Sequence, residues 1–469
     1  MKIRQEISSA IWKISLRKNL TNFLTKLNKI NLSTDTANNN LTAQEKIALL
    51  KKQLLEKTKQ ENAFYSLSYG QKALYFLYLG SPESTAYNVA FVTRILSHTD
   101  VPALKRSFQK LVNRHPSLRT TYSINEGLPV QEVQGYQEIF FEIIDAAGFN
   151  DTDLKSKVKK AYSIPFDLEN GPVFKIYLFK VTDENYVLLM NMHHICSDGW
   201  SIGIMLNELR ELYDNDVNGI QQTPSASANK YPDYISRQEE LVSSSKGDEL
   251  WGYWKEELGG ELPVLNLPSD KPRPSMLSYN GATLYFSLEN EMAESLKVLS
   301  RKEGSTLFVT LLAAYQILLQ RYSAQDEIIV GTPTAGRNQA GFDNTIGYFI
   351  NPVAIRGNLS GNLSFSEFLS HIRKKVIGAI SNQDLPFQII VERLLKTRDP
   401  SLSPVFQAFF ALQSVPKGKE IQELVVPGNS NVQVNFGKLL LESYDISQQE
   451  GQFDLVLEFF EGEKLFTGE

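Results

Sequence analysis

From Glu61 onward the chain alternates between two spacings of apolar residues. Val101, Leu104, Phe108, Leu111 and Val112 recur three and four apart behind Asp100, a residue type that caps helix N-termini, and predict a helix with one buried face. Tyr186 to Met192 is a near-continuous apolar run of strand length, the pattern of a strand covered on both faces. Directly beyond it Ile202, Met205, Leu206, Leu209 and Leu212 return to helical spacing. Further on, Thr306 to Arg321 predicts an apolar helix, Glu327 to Gly331 a strand and Phe365 to Ile380 an amphipathic helix. Strands and helices interleaved in this way define a mixed α/β architecture.

The segment before Glu61 reads differently. Leu16, Leu20, Phe23, Leu24 and Leu27 mark one helix, Asp35 to Asn40 a polar linker, and Thr42 with Glu45 a capping box that opens a second helix through Ile47, Leu50, Leu54 and Leu55. These sixty residues hold 12 Lys and Arg against 4 Asp and Glu, a net +8, while the whole chain carries −5. Residues 1–62 are therefore expected to form a basic helical leader, either a solvated segment or a docking element for an acidic partner. The stretch Ile220 to Pro232, rich in Ser, Gln, Pro and Ala, predicts a surface crossing that separates residues 63–232 from 233–469.

At 469 residues the chain exceeds one ordinary core, and its 42% apolar, 11% aromatic and 22% charged residues match a folded enzyme, not a disordered or membrane chain. A net charge of −5 supplies no global attraction to nucleic acid or an anionic membrane. The single cysteine, Cys196, excludes a disulfide within the chain and lacks the Cys/His spacing of a metal site, so no metal is expected. No apolar run approaches the ~20 residues of a membrane span, and Lys and Arg interrupt any signal-peptide core. The expected location is the cytoplasm.

Chemistry concentrates where the buried strand ends, at Met190-Asn-Met-His193-His194-Ile-Cys-Ser-Asp198-Gly199-Trp200-Ser. Histidine is the side chain suited to proton transfer near neutral pH, and adjacent strand residues face opposite ways, so one of His193 and His194 addresses a substrate and the other is structural. Asp198 is placed either to cap the following helix or to pair with a cation. Gly199 permits a turn or a close approach.

These residues resemble the His-His-x-x-x-Asp-Gly motif of chloramphenicol-acetyltransferase-like acyltransferases, and their flanks resemble the condensation domains of nonribosomal peptide synthetases. The likeness runs in order from about residue 65 to the end. Ser68-Tyr-Gly-Gln71 resembles the first family motif, Arg114-His115-Pro-Ser-Leu-Arg119-Thr120 the second and the histidine segment the third. Tyr231-Pro-Asp233-Tyr234 resembles the fourth, Ile346-Gly347-Tyr-Phe349-Ile-Asn351 the fifth and Asn382-Gln383-Asp384-Leu-Pro386-Phe387 the sixth. Arg398-Asp399-Pro-Ser401 with Pro404-Val-Phe406-Gln407 resembles the seventh. Ala73, Tyr75, Asn382 and Leu402 depart from the commonest family residues, away from the histidine loop.

The resemblance implies two acetyltransferase-like lobes in a V, with a tunnel between them open at both faces. It implies amide formation between an acyl or peptidyl thioester on a donor carrier and the amine of an aminoacyl thioester on an acceptor carrier. Both substrates would arrive on phosphopantetheine arms, with no cofactor of the chain's own and an adenylation domain downstream. His194 would be central, as base or as orienting partner of the amine, with His193, Asp198 and Gly199 completing the loop. Arg337 would pair with Asp198, while Trp200, Gln413 and Ser414 would line the tunnel. His193 argues against the cyclising relatives, which carry Asp there. The basic leader suits a donor arriving from another subunit, and the chain as a whole suits a hybrid polyketide and peptide assembly line. Two other readings remain: a free-standing acyltransferase using coenzyme A thioesters, and a silent platform that recruits carriers.

Overall fold

The computed structural model describes residues 62–220, 229–413, 419–429, 431–446, 451–462 and 466–469. The two leader helices, Ser414 and most of the 220–232 crossing lie outside the described residues. The fold is mixed α/β, built among the described residues on two six-stranded sheets and one of three strands.

The first large sheet is centred on the strand Asn185–His193, which pairs antiparallel with Asn88–Ile95 on one side and Phe174–Thr182 on the other. Every residue of the central strand after Asn185 is buried, which is why it reads as an apolar run instead of an alternation. The helix Val101–Arg114 starts at Asp100, whose side chain accepts from the Ala103 N–H at 2.9 Å. Its Leu104, Phe108 and Leu111 share one core with Met205 and Leu209 of the helix Gly199–Val217 and with Met190 and Met192 of the strand. Burying each such side chain contributes roughly 1.5–3 kcal/mol.

The second large sheet runs Asn351–Asn358, Glu327–Thr334, Ala408–Gln413, Leu455–Glu461, Phe466–Gly468 and Phe286–Leu288. The helices Leu307–Ser323, capped by Thr306, and Phe365–Ser381, opened by a Ser364 and Glu367 capping box, cover it. Leu312, Leu319, Ile372, Val330, Ile355 and Phe410 form the centre of this second core.

The sheets do not divide along the chain. Gln433–Phe436 and Leu439–Ser443 return to the first sheet, where Leu441 pairs with Ile95 and the Thr93 hydroxyl donates to the Glu442 carbonyl at 2.8 Å. The expected crossing also ends sooner than its composition predicts. The helix Tyr231–Val242 begins inside it, with Pro232 in its first turn and the Lys230 N–H donating to Asp233 at 2.7 Å. Tyr231 is 3% exposed, packed with Tyr234, Phe342 and Phe349, so it belongs to a core and not to the surface.

Candidate active site

The central strand ends at His193, and His194 opens the short 3-10 turn His194–Cys196 that follows, so strand alternation does not set the second ring, but the two histidines still part to opposite sides. The His193 N–H donates to the Val173 carbonyl at 3.0 Å and the His194 N–H to the Tyr87 carbonyl at 2.8 Å, so the backbone bonds split between the neighbouring strands. His193 turns inward, 5% exposed, and its Nδ1 accepts from the Ile195 N–H at 3.1 Å. Burial, with the charge of His194 added, pushes its pKa down to about 3, and the ring is neutral near neutral pH. His194 turns the other way, onto the wall of a cleft of about 3000 Å³ lined by both halves of the fold. Its Nδ1 lies 2.7 Å from the Ser197 carbonyl. A carbonyl only accepts, so Nδ1 carries a proton and Nε2 is the ring nitrogen left for another partner.

Asp198 is the N-cap of the helix that follows, its carboxylate accepting from the Ser201 N–H at 2.7 Å. The same carboxylate also pairs with Arg337, at 3.1 and 3.2 Å from Nη2, and accepts from the Phe349 N–H at 3.2 Å. Capping and pairing are thus one group's simultaneous work. Arg337 donates through Nη1 to the Phe342 and Thr345 carbonyls at 2.8 and 2.7 Å and stacks over the Phe349 ring at 3.9 Å. Ser201 Oγ bridges both termini of Gly347, donating to its carbonyl at 3.1 Å and accepting from its N–H at 3.2 Å. The histidine loop is therefore latched onto the segment leading into the second sheet.

Gly199 lies exposed on the cleft with an ordinary φ, and a Cβ added there would meet no protein atom within 4 Å. Neither the backbone nor the packing demands a glycine, so the space it leaves belongs to the cleft. Trp200 also faces the cleft, its Nε1 donating to the Asp343 carbonyl at 3.0 Å. Gln413 lies on the cleft wall, donating to Glu458 at 2.9 Å. Cys196 points into the core, its thiol donating to the His193 carbonyl at 3.1 Å, and burial pushes its pKa up to about 12. Among the described residues no group of three or more His, Cys, Asp or Glu gathers to hold a metal.

Other motif residues support this loop from a distance. Gln71 pairs with Ser68 as a capping box and donates to the Ile195 carbonyl at 3.1 Å, inside the histidine loop. Ser117 donates to the Ile346 carbonyl at 2.7 Å. Arg119 closes the C-terminus of the helix Val101–Arg114 by donating to the Val112 and Asn113 carbonyls at 2.8 and 3.0 Å. Asn351 holds the Gln383 and Leu385 carbonyls at 2.6 and 2.8 Å and accepts from the Phe387 N–H at 2.8 Å. Tyr348 lies inside the fifth motif, which gives it no site role, and its ring stands edge-on to His194 with centroids 5.1 Å apart and planes at 86°.

The sequence model of the condensation domain matches residues 61–467, and the chain belongs to that family, whose general activity is peptide-bond formation. The chain is 39% identical over 75% of its length to a linear gramicidin synthase of Brevibacillus parabrevis. It is 33% identical over 84% of its length to bacitracin synthase 3 of Bacillus licheniformis. It spans only 7% and 6% of the lengths of those proteins. Its fold matches a four-domain nonribosomal peptide synthetase bound to AMP and glycine, at a TM-score of 0.80 and 23% identity over 87% of this chain and 31% of that one. It also matches the first condensation domain of the calcium-dependent antibiotic synthetase in complex with a substrate analogue, at 0.70 and 17% over 87% of this chain and 90% of that one. Among the described residues no helix is long and apolar enough to cross a membrane.

Proposed function

We propose that this chain transfers an acyl or peptidyl group, held as a thioester on an upstream carrier, to the amine of an aminoacyl thioester on a downstream carrier. The observation that carries the reading is His194: the residue lines the cleft, and with Nδ1–H committed to the Ser197 carbonyl, Nε2 is the nitrogen left to meet a substrate. The amine nitrogen bonds to the thioester carbon, the tetrahedral intermediate collapses with loss of the C–S bond, and the thiolate takes up a proton. Nε2 accepts a hydrogen bond or the proton from the attacking amine. Positioning dominates, because aligning amine and carbonyl supplies roughly 7–11 kcal/mol, whereas one base contributes about 10² to 10⁴ in rate.

His193 supports the loop from inside, and Asp198 with Arg337 latches it. Gly199 leaves room for a phosphopantetheine arm, with Trp200 and Gln413 along its path. The kinship with much longer synthases supports carrier domains on both sides, an adenylation domain downstream and a cytoplasmic location. The +8 charge of residues 1–60 supports docking to an acidic segment of an upstream protein.

The test offers the purified chain a donor and an acceptor carrier loaded with thioesters and follows the acceptor arm by mass spectrometry. The expected product is an amide on that arm, absent with His194→Ala although the variant melts like the parent. Equal turnover of soluble coenzyme A thioesters would reassign the chain as a free-standing acyltransferase. Carrier binding without any product would make it a recruiting platform.

A further inference from the structure

We propose that Tyr348 is a positioning residue for His194, and that residue 70 is a glycine because the Tyr348 ring occupies the space a side chain there would need. The inference rests on the reading of His194 as the group that meets the attacking amine.

Three consecutive residues are held by polar partners from elsewhere in the fold. Gly347 is bridged by Ser201, the Tyr348 carbonyl accepts from the Tyr231 hydroxyl at 2.5 Å, and the Phe349 N–H donates to Asp198. With the backbone held, neighbouring side chains leave on opposite sides. Phe349 enters the cluster of Tyr231, Tyr234 and Phe342, and Tyr348 turns into the cleft.

There it meets His194 edge-on, the two planes at 86°. A single hydrogen bond at Nδ1 fixes that nitrogen but leaves the imidazole free to rock about the bond. A perpendicular aromatic ring in contact removes that freedom and holds Nε2 toward the cleft. Burial, with the Asp198 charge added, raises the Tyr348 pKa, so the ring stays neutral beside the imidazole.

On its other side the Tyr348 ring lies against Gly70. A Cβ at Gly70 would sit 2.6 Å from Cε1 and 2.9 Å from Cδ1 of that ring. Gly70 lies in the first turn of the helix Tyr69–Gly80 with an ordinary φ, where almost any other residue favours the helix more. The missing side chain answers to Tyr348, not to the backbone.

The test combines kinetics with a view of the ring. In steady-state assays with loaded carriers, Tyr348→Ala is expected to lower kcat about 10- to 100-fold, the scale of a misplaced reacting group, with KM little changed. Tyr348→Phe should recover most of that loss. Gly70→Ala should lower kcat in the same direction, and the double variant should be no slower than Tyr348→Ala alone, because both changes act through one ring. Nitrogen NMR of His194 reports the effect apart from turnover: one Nδ1–H tautomer in the parent, an averaged or broadened signal in Tyr348→Ala. Additive losses in the double variant, or a His194 signal unaltered by Tyr348→Ala, would overturn the proposal. If His194→Ala stays active while the NMR response persists, the functional reading fails and the positioning contact stands. Should Tyr348→Ala not fold, Tyr348→Leu is read against the same outcomes.

Discussion

Replacing Asp198 with alanine isolates the latch between the histidine loop and the second sheet. The carboxylate is 1% exposed and receives the Ser201 and Phe349 amides and the Arg337 guanidinium, whose own side chain is 2% exposed. Arg337 keeps two carbonyl acceptors at Nη1 and the Ser201 hydroxyl at Nη2, but its Nε already has no partner, and losing Asp198 leaves the buried cation without its counter-charge. Breaking such a pair from one side costs about 3–5 kcal/mol, a large share of the ~5–15 kcal/mol that holds a native fold. Urea unfolding reads the loss as a lower midpoint at constant slope. Arg337→Met tests the cause: the double variant should be less destabilised than Asp198→Ala alone, because the uncompensated charge is gone. A loss below about 1 kcal/mol for Asp198→Ala would refute the reasoning, as would strict additivity in the cycle. Any turnover lost with Asp198→Ala then belongs first to folding.

Three other predictions rest on how buried or exposed a residue is. The unfolded His193 imidazole takes up its proton near pH 6.5 and the buried one only near pH 3, so the unfolded state binds the extra proton between them. Its contribution is complete above pH 6.5 and is lost as pH falls, by roughly 1.4 kcal/mol per unit. His193→Asn keeps an acceptor for the Ile195 N–H and should flatten that slope; identical slopes in urea titrations from pH 6.5 to 4 would contradict the assignment. Gly199→Leu should leave the unfolding free energy from urea titration within about 0.5 kcal/mol while turnover of carrier-loaded substrates falls, and undiminished turnover would mean that no arm passes there. Cys196 should resist iodoacetamide at pH 8 until the chain unfolds, since burial raises its thiol pKa to about 12; labelling of the native protein at the rate of a free thiol would place it in contact with solvent.

The parts legible in the sequence are those set by short-range periodicity. The apolar run marks the strand that ends at His193, and a capping residue before a helical repeat marks Asp198 and the start of the helix at Gly199, whereas the 3-10 turn that His194 opens has no such signal. Residue types in the crossing misled at its end, because Pro232 is as much at home in the first turn of a helix as in a loop, and the deciding fact is the burial of Tyr231. The partner of Asp198 lies 139 residues away, so Arg337 came only from the family resemblance. Gln71 carried a readable local signal, its capping box with Ser68, but its second bond, to Ile195, spans 124 residues.

The late strands show why this limit is physical. Gln433, Val434, Asn435 and Phe436 alternate exposed and buried, a pattern that identifies a strand with one covered face. That alternation says nothing about which sheet supplies the neighbour, because ladder bonds join backbone groups common to every residue. What selects the first sheet is an edge left open by Asn88–Ile95, and the register Leu441 with Ile95 places buried side chains together there. The same reasoning covers the site. His194 follows directly on the central strand, but the direction of its ring depends on Ser197, Tyr348 and the space at Gly70, three places that only the folded chain brings together.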